Sequence, residues 1–449
     1  MEGGNSSRFS LASLAIHIRL AISLMLDYRP GRLFKGTLAM TAGMTARIFG
    51  QAVVFLLVAR TLGVGAYGAY AAVLALAMTI GNFNGLGVSV VMLKDTARDA
   101  TVFQECWGRA LAAWLLTSPI LLVLYGALAV SVLPERIEGS VVLFVGLAEI
   151  VVAPFVLLTL RAFQGHGCIG RAARLAFAPI MPRLLAAGML LLSAFYISKP
   201  SRLVLWAILY LLAAVASAIY SLRLTCRDLK IGLEPKWDGL MHNISEGWAF
   251  SLGGASDKLY ADLDKIMLSK MSTLETAGAY AGAYRVIDMV HVPVFAFFSA
   301  VAPRFFDFGK EGMRSVFIYA LKVMPVPMLY VLVSCVVLFA SASLLPVFLG
   351  PDFSAAVDVI RWLVWLPLLS VPRRFGQMTL SSSGWQRRSL AVLVFGAVLN
   401  LMANLWAIPL WGWRGAVAAT YIAEMAMGVL VWVMFIFSDG TIRHPANKA

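Results

Sequence analysis

Several charged residues of this chain stand inside long apolar runs, where a lone charge is expensive. Arg47 lies in MTARIFGQAVV, Glu149 in VGLAEIVVAP, and Arg174 and Arg183 in RLAFAPIMPRLLAAG. Glu246, Asp257, Lys258, Asp262, Asp264 and Lys265 share one later run. Arg285, Asp288 and His291 share the next, then come Arg361, Arg373 and Arg374, and finally Glu424. An Arg, Lys or Asp at the centre of a membrane helix costs roughly 2.5–3.5 kcal/mol. Such a residue therefore faces a cavity or a partner. Arginine suits phosphate, because its planar donors meet two oxygens at once. Arg47, Arg183 and Arg285 would make one cavity cationic, with Arg373 and Arg374 nearer its mouth. An amphipathic substrate with a phosphate or pyrophosphate head fits that set.

Each position also has a plainer reading. Arg285 and Asp288 are three apart on one helix face and can pair with each other. Arg373, Arg374 and Arg174 can snorkel to a surface. Asp262, Asp264 and Lys265 fall toward a span end and read as interfacial. Glu149 and Glu424 are isolated acids amid apolar sequence; each either binds a proton or sodium ion or hydrogen-bonds a neighbour. Asn400 and Asn404 share a face at i, i+4 in GAVLNLMANLWAIP. They either join helices or help coordinate a cation.

These residues need helices to position them, and composition says of what kind. The 449 residues are 60% hydrophobic and only 13% charged, about half the charge of a soluble domain. With mean hydropathy +0.82, the chain reads as an integral membrane protein. Its net charge of +14 belongs to loops that orient helices and meet anionic lipid, so no nucleic-acid partner is expected. The four cysteines, Cys106, Cys168, Cys226 and Cys335, form no CxxC pair, and the five histidines are scattered. Neither a disulfide, a metal site nor a cofactor is indicated.

About twelve spans are expected, near 37–60, 64–93, 105–130, 140–163, 172–198, 203–223, 240–268, 277–303, 320–349, 355–383, 387–410 and 413–437. Residues 1–36 form a segment outside the spans, where Phe9–Leu26, broken by His17 and Arg19, reads as an interfacial helix. Residues 37–223 make a first lobe, 224–239 a polar linker, 240–437 a second lobe and 438–449 a tail. Lys and Arg gather on the side of the termini and linker, which predicts that both termini and the linker are cytoplasmic.

The two lobes repeat. VARTLGVGAYGAY (Val58–Tyr70) and LSKMSTLETAGAY (Leu268–Tyr280) align at an offset of 210 residues. Spans one and two then match spans seven and eight, six spans apart. An even number implies the same orientation, so the lobes are parallel repeats about an axis along the membrane normal, with a cleft between them. Under this offset Arg47 pairs with Asp257, and both should face one cavity.

The chain resembles the polysaccharide-export flippases of the Wzx type, in the multidrug/oligosaccharidyl-lipid/polysaccharide superfamily. The resemblance is carried by LFKGTLAMTAGMTARIFGQAVVFLLVARTLGVGAYGAYAAVLAL, NGLGVSVVMLKDTARD, LDKIMLSKMSTLETAGAYAGAYRVID, PVFLGPDFSAAVDVIRWL and GAVLNLMANLWAIPLWGWRGAVAATYIAE. It covers nearly the whole chain after about residue 33. It implies an all-α membrane protein of two V-shaped six-helix lobes in the bacterial cytoplasmic membrane, a transporter and not an enzyme. It implies flipping of polyprenyl-pyrophosphate-linked oligosaccharide, alongside membrane lipids and the polymerase machinery of polysaccharide synthesis. Arginines on spans one and eight line the cavity of relatives, which maps to Arg47 and Arg285. An ion site on spans seven, eleven and twelve maps to Asp257, Asn400, Asn404, Thr420 and Glu424, with a proton or sodium as coupling ion. Two alternatives stand beside it: a drug/cation antiporter of the same fold, for which an acidic cavity is expected, and a membrane-embedded glycan ligase or polymerase.

Overall fold

The structure, a computed structural model, describes residues 49–436. Arg47, the interfacial reading of Phe9–Leu26 and the tail 438–449 lie outside the described residues. No strand occurs among those described.

The first lobe begins with α1 (Phe49–Leu62). A rod follows that is broken near its middle: α2 (Val64–Gly81), a tight turn over Asn84–Gly87, and α3 (Val88–Arg98). The break is built from positive φ at Gly85, Leu86 and Gly87. Its freed polar groups find partners, as a break inside an apolar bundle must. Asn84 donates to Ser118 Oγ (2.8 Å) and to the Ile150 carbonyl (2.7 Å), and Gly85 N–H donates to Thr117 Oγ1 (2.8 Å). Then come α4 (Phe103–Val132), α5 (Gly139–Gly146), a π-turn (Leu147–Val152) and α6 (Ala153–Gly165). The lobe closes with α7 (Ile169–Phe177), α8 (Ile180–Ser193) and α9 (Lys199–Leu229).

The linker lies against α4. Trp107 Nε1 donates to the Gly232 carbonyl (3.0 Å), Arg109 Nε to the Asp238 carbonyl (2.7 Å), and Lys236 N–H to the Gly108 carbonyl (2.9 Å). Where α9 enters it, Asp228 receives Arg227 (2.8 Å) and Arg171 (3.1 Å). The Arg227 hydrogen bond holds its carboxyl below the usual carboxylate range.

The second lobe runs α10 (Leu240–Met271), α11 (Leu274–Glu311), α12 (Met313–Val323), α13 (Pro325–Ser341) and α14 (Leu345–Leu349). It ends with α15 (Ala356–Leu363), α16 (Leu366–Ser382), α17 (Gln386–Trp411) and α18 (Trp413–Ile436). Among the described residues, nine helices are long and apolar enough to cross a membrane. Three expected spans are not among them, each for a visible reason. The first is described only from Phe49. The seventh, α10, carries Glu246, Asp257, Lys258, Asp262, Asp264 and Lys265. The tenth is split into α15 and α16 and carries Arg361, Arg373 and Arg374.

The 210-residue offset reappears in space. Gly68 of α2 and Gly278 of α11 face each other with their backbones in contact. A side chain at Gly68 would strike the Leu274 carbonyl, and one at Gly278 would strike the Val64 carbonyl. Val64 and Leu274 are themselves 210 apart, so the contact is self-complementary, as across a twofold axis. Small residues are what permit so close a crossing. Arg60 and Lys270, also 210 apart, repeat the pattern. Arg60 donates to the Val347 carbonyl (3.2 Å) and Lys270 to the Leu133 carbonyl (3.1 Å), each in the opposite lobe. These contacts join the lobes at the end of the bundle where α1 turns into α2 and α10 into α11, the hairpin end, opposite the linker. At the linker end the lobes meet where Gly87 abuts Gly247 and Lys94 pairs with Glu246.

Candidate functional site

Between the lobes lies a cavity of about 530 Å³. Its acidic, arginine and lysine lining comes from the π-turn and α8 on one side and from α10, α11, α16 and α18 on the other, with Gln51 of α1, Tyr67 and Tyr70 of α2 and Tyr210 of α9 among its other polar residues. Six basic residues face it (Arg183, Lys258, Lys265, Arg285, Arg373, Arg374) and five acids (Glu149, Asp257, Asp262, Asp288, Glu424). The excess of positive charge among the described residues is thus one. How the charges are partnered matters more than their sum.

Glu149 and Glu424 are not isolated, as their sequence context suggested. Each holds an arginine. Arg183 Nη2 lies 3.4 Å from Glu149 Oε1, which also accepts the Tyr210 hydroxyl, and the guanidinium sits over the Tyr210 ring at 4.8 Å. In the other lobe Arg373 binds Glu424 through Nε (2.5 Å) and Nη2 (3.1 Å), and Tyr260 donates to the same carboxylate (3.0 Å). Burial in low dielectric demands such pairing. Glu149, 8% exposed, lies within the π-turn, a local irregularity of the kind often found at functional sites.

The surface reading of Arg373 and Arg374 does not hold. Arg373 is 3% exposed. Arg374 lies over the Phe295 ring at 4.7 Å, with its Nε buried and unpartnered. Nor are Asp262, Asp264 and Lys265 interfacial. Asp262 is shared by Lys258 (2.6 Å) and Lys265, which stand at i−4 and i+3 on the same face of α10. The two lysines against one acid leave this face with a positive excess, and Lys265 also rests over the Tyr284 ring at 4.6 Å. Arg285 has no ion pair with Asp288, or with any other acid among the described residues, and is exposed into the cavity. Asp257 is likewise exposed there.

Asn400, Asn404 and Thr420 lie away from the cavity, buried within the second lobe. Asn404 donates to Asn400 along the same helix (2.9 Å), so this bond joins no neighbour, and Asn404 Oδ1 stays buried without a partner. Asp264, 2% exposed, accepts the Tyr280 hydroxyl, and Thr420 approaches that same hydroxyl. Helices α10 and α17 run alongside each other, with Gly253 beside Leu390. Eleven residues on from Gly253 is Asp264, and ten to fourteen on from Leu390 are Asn400 and Asn404, at the same depth. Asp257, which the resemblance grouped with these residues, lies in the cavity, apart from the buried Asn400, Asn404 and Thr420. No cluster of three or more His, Cys, Asp or Glu suited to a metal occurs among the described residues.

Sequence reasoning missed Tyr210 and Tyr260, which carried no signal of burial beside an acid. The i, i+4, i+7 spacing of Lys258, Asp262 and Lys265 was a usable signal for one charged face.

A family model described as "Polysaccharide biosynthesis protein" matches residues 33–308. No curated protein sequence matches the chain. Among solved structures, the lipid II flippase MurJ in an inward closed conformation superimposes with TM-score 0.70 at 11% identity, covering 90% of this chain and 88% of that one. A transporter of the MOP superfamily from Pyrococcus furiosus, described for the reversed polarity of its binding pocket, gives 0.63 at 13% identity, covering 91% and 96%. The MATE multidrug transporter DinF-BH gives 0.62 at 15% identity, covering 97% and 98%. At these identities the likeness is one of fold alone.

Proposed function

The chain belongs to the polysaccharide biosynthesis protein family, and we propose that it flips a polyprenyl-pyrophosphate-linked oligosaccharide from the cytoplasmic to the external leaflet by alternating access. The observation that carries this reading is Arg285: an arginine without an acid partner among the described residues, exposed into a cavity between two lobes. The pyrophosphate head binds Arg285 and the Lys258–Asp262–Lys265 face, while the lipid chain stays in the bilayer. Neutralising the head there offsets the cost of taking a dianion through apolar surroundings. Arg47 joins this set by the sequence reading alone.

The linker end is cytoplasmic in this proposal, and the Gly68–Gly278 crossing closes the external end while the head loads. Export requires that crossing to part. An inside-negative potential favours outward movement of a negative head, by about 2.3 kcal/mol per charge per 100 mV. A monovalent cation, proton or sodium, resets the cycle at the buried polar residues of the second lobe, for which Asp264 and the unpartnered Asn404 Oδ1 are the candidates. A carboxylate with neutral amide oxygens suits a hard monovalent ion.

Against a drug/cation antiporter, Glu149 and Glu424 are each bound to an arginine and Asp262 to two lysines, so three of the five cavity acids are already neutralised. The test is vectorial flipping in proteoliposomes. A fluorescent polyprenyl-pyrophosphate oligosaccharide should cross in the presence of the protein and not with Arg285→Ala. Uptake of a cationic dye, with no movement of the lipid-linked sugar, would select the antiporter instead.

A further inference from the structure

Arg161, on α6, has no role in the cavity just described. Its Nη1 donates to Ser89 Oγ, and no carboxylate among the described residues lies within ion-pair distance. A guanidinium has five donors; here one neutral hydroxyl answers them. The side chain lines a second cavity of about 280 Å³, bounded by the broken rod of the first lobe, by α4 and α6, and by α10 of the other lobe. An unpaired cation facing a half-open cavity between membrane helices calls for an anion.

The surroundings say which kind. Arg161 stands four residues before the end of α6 at Gly165, about 6 Å by helical rise. For a helix whose end marks the membrane surface, that is the depth of the boundary between headgroups and acyl chains in the linker-end leaflet. Ser89 and Asn82 supply neutral polar groups beside the cation, while Leu157 and Phe250, 42% and 54% exposed, flank the space with apolar surface. A polar pole and an apolar rim suit an amphiphile better than a free ion. We infer that this cavity is a second anion site, which takes the phosphate head of a membrane lipid on Arg161 with its chain along Leu157 and Phe250. The two cavities share Met78 and Glu149 as wall residues. A head on Arg161 therefore sits one wall away from the Glu149–Arg183 pair. The site is read from Arg161 alone and does not depend on the transport proposal.

Trp114 lines the cavity and reports on it. The protein is reconstituted in phosphatidylcholine vesicles carrying a minor fraction of brominated phosphatidylglycerol or brominated phosphatidylcholine. The Trp114 contribution is isolated as the difference between wild type and Trp114→Phe. Brominated phosphatidylglycerol should quench it about fivefold more effectively, the factor given by about 1 kcal/mol per basic residue. Arg161→Gln should abolish the preference, and Arg161→Lys, which keeps the charge, should retain part of it. Polyprenyl pyrophosphate should then displace the brominated lipid, and inorganic pyrophosphate should not. Displacement by both equally would reassign the site to a free phosphate and overturn the lipid. Equal quenching by the two brominated lipids, or a preference that survives Arg161→Gln, would overturn the anion site itself. Because no transport is read, failure of the flippase proposal leaves this outcome unchanged.

Discussion

The first lobe holds Arg183 to Glu149 by one contact at 3.4 Å; the second holds Arg373 to Glu424 by two, at 2.5 and 3.1 Å. Arg183 keeps 21% of its side chain exposed, Arg373 only 3%. Both triads contain a tyrosine bonded to the acid and lying under the arginine. Yet they are not copies. The acid, arginine and tyrosine of the first lobe come from the π-turn, α8 and α9; those of the second come from α18, α16 and α10. The paired glycines and the two basic donors at the hairpin end, by contrast, obey the 210-residue offset. The frame of the two lobes is therefore symmetric, and the chemistry placed on it is not. Bidentate geometry and burial make the second pair a clamp. In the transport proposal, the open, single contact of the first lets Arg183 exchange its acid for a phosphate.

This contrast can be broken most forcefully at the clamp. Glu424→Gln strands Arg373 in a buried site, and removing one partner of such a pair costs about 3–5 kcal/mol. Thermal unfolding of the purified protein should fall steeply; an unchanged midpoint would remove the distinction between the pairs. Next comes the symmetric frame. Gly278→Val places a side chain against the Val64 carbonyl and the backbone of Gly68. The hairpin end should fail to close, seen as labelling of a cysteine placed at Ala281 from that side. Labelling no faster than in the unsubstituted background would mean the crossing is not the seal. The smallest expected effect sharpens the other side of the comparison. Glu149→Gln should lower the unfolding midpoint less than Glu424→Gln does, since Arg183 is the more exposed arginine, while affinity for a pyrophosphate-headed lipid rises several-fold, because Arg183 loses its competitor. Weaker binding would make Glu149 a positioning group for Arg183.

Much of the frame was legible in the residues. The Gly-Ala-Tyr repeat gave the offset, and the offset gave two parallel lobes, because backbone crossings need small residues at fixed positions. The charged positions were also visible, since apolar context exposes them. Their partners were not. Glu149 and Arg183 are 34 residues apart, and Arg373 and Glu424 51; nothing in the local pattern joins them. Asp264 was hidden for a related reason. It stands among five other charges on one run, and only the helical phase separates it, turned inward to Tyr280, from Asp257, turned to the cavity. Arg161 was overlooked because it lies near a span end, where arginine usually reaches water.

The central claim is that the cavity binds a pyrophosphate head through an arginine left free of acids. It is tested most directly by the equilibrium affinity of the purified protein for a labelled polyprenyl-pyrophosphate oligosaccharide, wild type against Arg285→Ala, with a polyprenyl glycoside lacking phosphate as reference. Losing a charge-assisted contact to the head should weaken binding about tenfold or more, since such bonds are worth about 1.5–3 kcal/mol. The phosphate-free lipid should bind weakly and equally to both. Equal affinity of wild type and Arg285→Ala for the pyrophosphate lipid would contradict the account.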